Sequence, residues 1–94
     1  MQNDVQELTR QVVDWADWAF PERTPTSALI KLYEEIGELS RDLRSPGEYA
    51  DVFIMVLDLA HMHGVDVARA IRDKIEINRR RTWSRTTLGT YQHD

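Results

Sequence analysis

Glu48-Tyr49-Ala50-Asp51-Val52-Phe53-Ile54-Met55-Val56-Leu57-Asp58 is the stretch on which the fold turns. Every residue between the two aspartates is apolar. A helix that is apolar all round is a buried helix, so this segment predicts the centre of a helical core. The run Val52 to Leu57 is far too short to span a bilayer. Glu48 and Asp51 are three apart and share one helix face. Asp58 follows Asp51 by seven positions, about two turns further along nearly the same line. Carboxylates on a buried helix are costly unless they are paired or bound to metal. Two resolutions stay open at this point: a metal held by carboxylates, or arginine pairs at an interface between copies of the chain.

Outward from this helix the sequence predicts three more. Val5, Leu8, Val12, Trp15 and Ala19 recur at steps of three and four, which is helical spacing, over about Asn3 to Ala19. Pro21 and Pro25 bracket a loop. Thr26 or Ser27 can cap a second helix that reaches about Arg44, with Leu29, Leu32, Ile36, Leu39 and Leu43 as its apolar stripe. Ser45-Pro46-Gly47 separates it from the third, read over about Gly47 to Met62, and His63-Gly64 makes the next turn. Asp66 can cap a fourth helix running to about Arg81. Strand-like alternation persists nowhere, so no sheet is expected. Short loops imply antiparallel neighbours, hence an all-α, four-helix bundle-like fold. Residues 1–83 form the helical domain, and 84–94 read as a tail or arm without clear period.

The second helix carries Glu34-Glu35-Ile36-Gly37-Glu38. Glu35 and Glu38 lie on one face, roughly opposite the leucine stripe. Alone, this reads as the solvated face of an amphipathic helix. Together with Glu48 and Asp51 on the next helix it suggests a site between facing helices, as bundles build them. Oxygen-only ligands suit a hard cation such as Mg²⁺.

The chain has 94 residues, fitting one domain, and a domain of this size buries only part of its surface, so a second copy is a natural way to complete the core. It has no cysteine, which removes disulfides and thiolate metal sites and fits a cytoplasmic location. The N-terminal stretch is polar and amphipathic, not a basic region followed by an apolar run, so no signal peptide is expected. A net charge of −4 argues against a general nucleic-acid binder, despite Arg79-Arg80-Arg81.

In this setting Glu34-Glu35-x-x-Glu38 followed by Glu48-x-x-Asp51 resembles the EExxE…ExxD signature of MazG-like all-α nucleoside triphosphate pyrophosphohydrolases. The surrounding Lys31-Leu32-x-Glu34-Glu35-Ile36-Gly37-Glu38-Leu39 and Glu48-x-Ala50-Asp51-Val52 are similar to the family's usual context. Gly64-Val65-Asp66, Ala70-Ile71, Lys74, Asn78, Arg81 and Trp83 resemble its last core helix. Nine residues separate Glu38 from Glu48, fewer than is usual in the family, so the helix hairpin must be tight. The single short domain resembles compact phage members that act on purine deoxynucleotides.

The resemblance implies a MazG fold completed by oligomerisation, as a homodimer or homotetramer. It also implies hydrolysis of a (deoxy)nucleoside triphosphate, such as dGTP or dATP, to the monophosphate and pyrophosphate with Mg²⁺ or Mn²⁺. Glu35, Glu38, Glu48 and Asp51 would be the metal ligands. Glu34 would be an outer ligand or a group orienting the attacking water, so Glu34, Glu35 and Glu38 form the catalytic set.

Lys31, Lys74 and Arg81 are candidates for the triphosphate, and Asn78 for sugar or phosphate. Lys74, Asn78 and Arg81 share a helix face, although basic residues there also complement the helix dipole. Trp15 could stack on a base, but it sits on the apolar stripe and reads as well as core. His61 and His63 read as a helix end. Two rivals remain: a non-enzymatic oligomeric helical module, and a nucleic-acid-binding regulator working through Arg79 to Arg85.

Overall fold

Among the described residues, three helices start at a side-chain oxygen that satisfies a first-turn amide, an arrangement worth roughly 1 kcal/mol per cap. The computed structural model describes residues 4–94. Its elements are α1 (Asp4–Ala19), α2 (Pro25–Arg41), α3 (Pro46–Met62), α4 (Val67–Arg79), β1 (Trp83–Arg85) and β2 (Tyr91–His93). The expected start of the first helix at Asn3 lies outside the described residues.

The cap of α2 is Thr24 rather than Thr26 or Ser27. Thr24 accepts from the Ser27 amide (3.1 Å), and the Ser27 hydroxyl accepts from the Thr24 amide (2.9 Å). Pro25 fits the first helical position because its missing N–H has no helical partner to lose. The same holds for Pro46, so α3 begins one residue before Gly47. Asp66 caps α4 as expected, accepting from the Arg69 amide at 3.1 Å.

α2 stops at Arg41, short of Arg44. Asp42 leaves helical geometry (φ −151°, ψ 79°), and its carboxylate accepts from the Arg44 amide at 3.4 Å, a local bond that competes with the helix. α4 stops at Arg79 rather than Arg81, with Arg80 as its last cap. Gly64 takes φ +68° in the turn after α3, a conformation glycine adopts without strain.

The expectation of no sheet is overturned at the C-terminus. β1 and β2 pair antiparallel, with Trp83 opposite His93 and Arg85 opposite Tyr91. The loop between them closes through Thr86 N–H to Thr90 O (2.7 Å) and Gly89 N–H to Thr86 O (3.0 Å), with Gly89 at φ +84°. Three-residue strands are too short for alternation to show; the glycine between two aromatic-containing triplets was the usable signal. The hairpin is exposed throughout its strands and is tied to α4 by the Trp83 indole, which donates to the Asn78 carbonyl at 3.0 Å.

α2 and α3 form the main packing pair, α1 lies on α3, and α4 lies on α1. The core is small: Ala16, Ala28, Met55, Leu57 and Ala68 are its buried apolar residues among those described. α3 is therefore not buried all round in a single chain. Its Asp58 side is, whereas Phe53 is 58% exposed. Phe53 borders an open groove of about 400 Å³ with Leu8, Val12, Trp15, Ala50 and Leu57. The radius of gyration is 15.7 Å, larger than the about 12 Å of a compact single chain of this length. Among the described residues no helix is long and apolar enough to cross a membrane.

Candidate metal centre

The short link from Asp42 to Ser45 sets the last turns of α2 beside the first turn of α3. Ser45 fixes the start of α3 by accepting from the Glu48 amide at 3.3 Å. Glu35 and Glu38, one turn apart on α2, thereby meet Glu48 and Asp51, one turn apart on α3. One ligand oxygen from each of these four carboxylates lies within 4.8 Å of the others. Glu35 is buried, Glu48 half-buried, and Glu38 and Asp51 reach solvent. The cluster is thus anchored at one side and open at the other.

Its electrostatics are unbalanced within the chain. The Lys31 ammonium lies 3.1 Å from Glu35 Oε1 and 3.6 Å from Glu34 Oε2. Its pKa is raised, first by the hydrogen bond to Glu35 and then by that residue's charge. The Glu38 carboxyl is held above the ordinary range, first by the charge of Glu35, then by a hydrogen bond to it, burial and the charge of Glu48. One lysine does not neutralise such a group. Glu35 Oε2 and Glu48 Oε2 are also buried without a hydrogen-bond partner among the described residues. Buried carboxylate oxygens in that condition are destabilising unless a proton or cation meets them. A hard divalent cation, which takes oxygen ligands, answers both the repulsion and the orphaned oxygens.

The third acid of α3 behaves differently. Asp58 is 1% exposed and paired with Arg23, whose Nε and Nη2 donate to its two oxygens at 2.7 and 2.8 Å. Arg23 also reaches Asp17 at 2.9 Å. The acids of α3 thus divide, with carboxylates clustered at one end and an arginine pair at the other; the arginine pair lies within the chain and not at an interface between copies. It carries no local sign in the sequence, because Arg23 and Asp58 are separated by 35 positions.

The remaining candidates lie elsewhere. Lys74 and Asn78 lie on α4, whose packing partner is α1, and Arg81 falls just beyond its end, so the three do not share one helix. Asn78 Oδ1 is buried with no partner, Arg81 is half-buried and Lys74 is exposed. Arg79 and Arg80 both pair with Glu76, at 3.5 and 3.6 Å, as a solvated face would. Trp15 packs edge-on against Phe20 with centroids 5.3 Å apart. His61 and His63 close the end of α3, His63 as its cap.

A family model described as dATP/dGTP pyrophosphohydrolase matches residues 8–93, and so takes in the C-terminal hairpin. A "dATP/dGTP diphosphohydrolase" of Cyanophage S-2L is 46% identical over 91 residues, covering 95% of this chain and 87% of the relative. A protein of the same description from Salmonella phage PMBT28 is 45% identical over 91 residues; there this chain spans 96% of itself but 30% of the relative's length. Among solved structures, a Cyanophage S-2L MazG-like pyrophosphohydrolase bound to dGDP and three catalytic Mn²⁺ ions per active site matches with TM-score 0.88 and 45% identity, over 99% of both chains. Since the family model takes in residues 8–93 and the relatives match over nearly the whole sequence, this chain belongs to the dATP/dGTP pyrophosphohydrolase family.

Proposed function

We propose that this chain is a metal-dependent hydrolase that splits dATP and dGTP between the α and β phosphates, releasing the monophosphate and pyrophosphate. The observation that carries this is the four-carboxylate cluster with its two orphaned buried oxygens. Glu35, Glu38, Glu48 and Asp51 hold Mg²⁺ or Mn²⁺. Bound there, the metal supplies Lewis-acid polarisation of phosphate oxygens and lowers the pKa of water.

The chain's own side chains divide the rest of the work. Glu34, on the exposed side of the cluster and weakly paired with Lys31, orients the attacking water and accepts its proton. Lys31 holds Glu35 in place and offsets charge where the triphosphate enters. Lys74 on α4 and Arg81 just beyond its end contact phosphates, and the unpartnered Asn78 Oδ1 accepts from the sugar hydroxyl. The test is pyrophosphate release from ribo- and deoxynucleoside triphosphates, with Mg²⁺ or Mn²⁺ and with EDTA. Metal-dependent release from dATP and dGTP is expected. Inorganic phosphate instead would move the cleaved bond, and no turnover by folded protein would favour a binding module.

The cluster also ties metal to stability. Glu38 carries a raised pKa, so without metal its ionisation costs stability as pH rises from its unfolded value through the folded one. Added Mn²⁺ should reverse that slope. Near neutral pH it should raise the melting temperature, with about 2.7 kcal/mol gained at a hundred times Kd, and the gain should shrink as pH falls and protons compete. A melting curve indifferent to Mn²⁺ between pH 5 and pH 8 would contradict the ligand assignment.

The working unit is a homo-oligomer, a dimer at minimum and a tetramer by family resemblance, in the cytoplasm where nucleotides are drawn. Its support is the exposed apolar groove around Phe53 and Trp15 together with the large radius of gyration. Phe53→Asp should yield monomers in sedimentation velocity at concentrations where the parent chain is associated. An unchanged oligomer would place the contact on another face.

A further inference from the structure

Beside the metal centre lies a second cavity, of about 420 Å³, whose walls include Phe20, Arg23, Ala28, Lys31 and Met55. Lys31 joins the two places, since it lines this cavity and bonds Glu35 of the cluster. Because Lys31 borders both, the cavity adjoins the place where the phosphates of a nucleotide would meet the cluster. Phe20, Ala28 and Met55 present apolar surface suited to the faces of an aromatic ring. Trp15 backs Phe20 edge-on and fixes that wall.

Arg23 is the polar group whose orientation is most constrained. Its Nε and Nη2 are committed to Asp58 and Asp17, and one hydrogen of Nη1 points to the Phe20 carbonyl at 3.4 Å. A guanidinium has five N–H donors. Four are thus used, and one on Nη1 has no partner among the described residues. Its charge is already outweighed by two aspartates, so the site does not attract a phosphate. A fixed donor in a locally acidic setting suits a neutral acceptor.

Adenine and guanine both present N7 as an acceptor on the same edge. Resting on the proposed function, we infer that Arg23 is the purine-selecting residue, its free Nη1 hydrogen donating to N7 of the base, with Asp58 and Asp17 as positioning residues that aim it. One donor then serves both purines, because N7 does not distinguish them.

The test compares dGTP with 7-deaza-dGTP, and dATP with 7-deaza-dATP, in which N7 is replaced by C–H. With the unmodified enzyme, KM should rise about tenfold or more for each analogue, the range of a hydrogen bond to a charged donor. Turnover number should stay nearly constant, because the contact is made equally in ground and transition states. Arg23→Lys keeps a cation for Asp58 but loses the planar fork, and should reduce the discrimination toward unity. Equal KM values for the parent nucleotides and their 7-deaza analogues overturn the inference while leaving the hydrolase intact. If no triphosphate is split, the proposed function fails separately, and calorimetric titration of dGMP against 7-deaza-dGMP takes over: a weaker analogue supports the N7 contact and equal affinity removes it.

Discussion

Glu38→Gln is expected to reduce pyrophosphate release from dATP and dGTP by on the order of 10²–10³-fold, with helical content unchanged by circular dichroism. The substitution is nearly isosteric and removes one charge from a cluster whose members repel. It should therefore not destabilise the metal-free chain. The raised Glu38 pKa, caused first by Glu35, marks the repulsion that the change relieves. The loss should instead appear with metal present, as weaker Mn²⁺ binding and slower turnover together. Full activity in Glu38→Gln would exclude it as a ligand and require the centre to be rebuilt from Glu35, Glu48 and Asp51.

The second large effect concerns stability. Arg23→Leu removes the partner of a carboxylate that is 1% exposed and is expected to cost roughly 3–5 kcal/mol. That is a large share of the ~5–15 kcal/mol available to a domain, and it should lower the melting temperature by more than about 12 °C. The exposed Asp17 contact contributes little to this sum, because ion pairs open to solvent are worth at most about 1 kcal/mol. Arg23→Leu combined with Asp58→Val should recover most of the loss, since an apolar pair leaves no buried charge. Urea unfolding of the single and double variants measures both. A single-variant loss below about 1 kcal/mol would mean that water reaches Asp58 once Arg23 is gone.

The helices were legible because periodicity and caps are local. Leu8, Val12 and Trp15 define a stripe from spacing alone, and Asp66 caps the helix expected of it. The cluster was legible because its two halves sit on consecutive helices joined by a short turn, so spacing along the chain nearly dictates proximity in space. What escaped was non-local or brief. Asp58 has the same sequence context as Asp51, yet one finds Arg23 and the other finds carboxylates, and that choice depends on where the α1–α2 loop returns. The hairpin of Trp83–Arg85 and Tyr91–His93 escaped because its strands are shorter than any usable period. α3 looked buried on all sides because sequence does not say whether one chain or two supply the covering surface.

The carboxylates of the proposed metal centre all fall in one contiguous stretch, Glu35 to Asp51, whereas the cavity beside them takes Phe20 and Arg23 from the preceding loop. On the proposed reading, bond cleavage and base choice are written in separate segments that touch through Lys31. A loop change around Arg23 can retune which nucleotide is drained from the pool without disturbing the centre that breaks it.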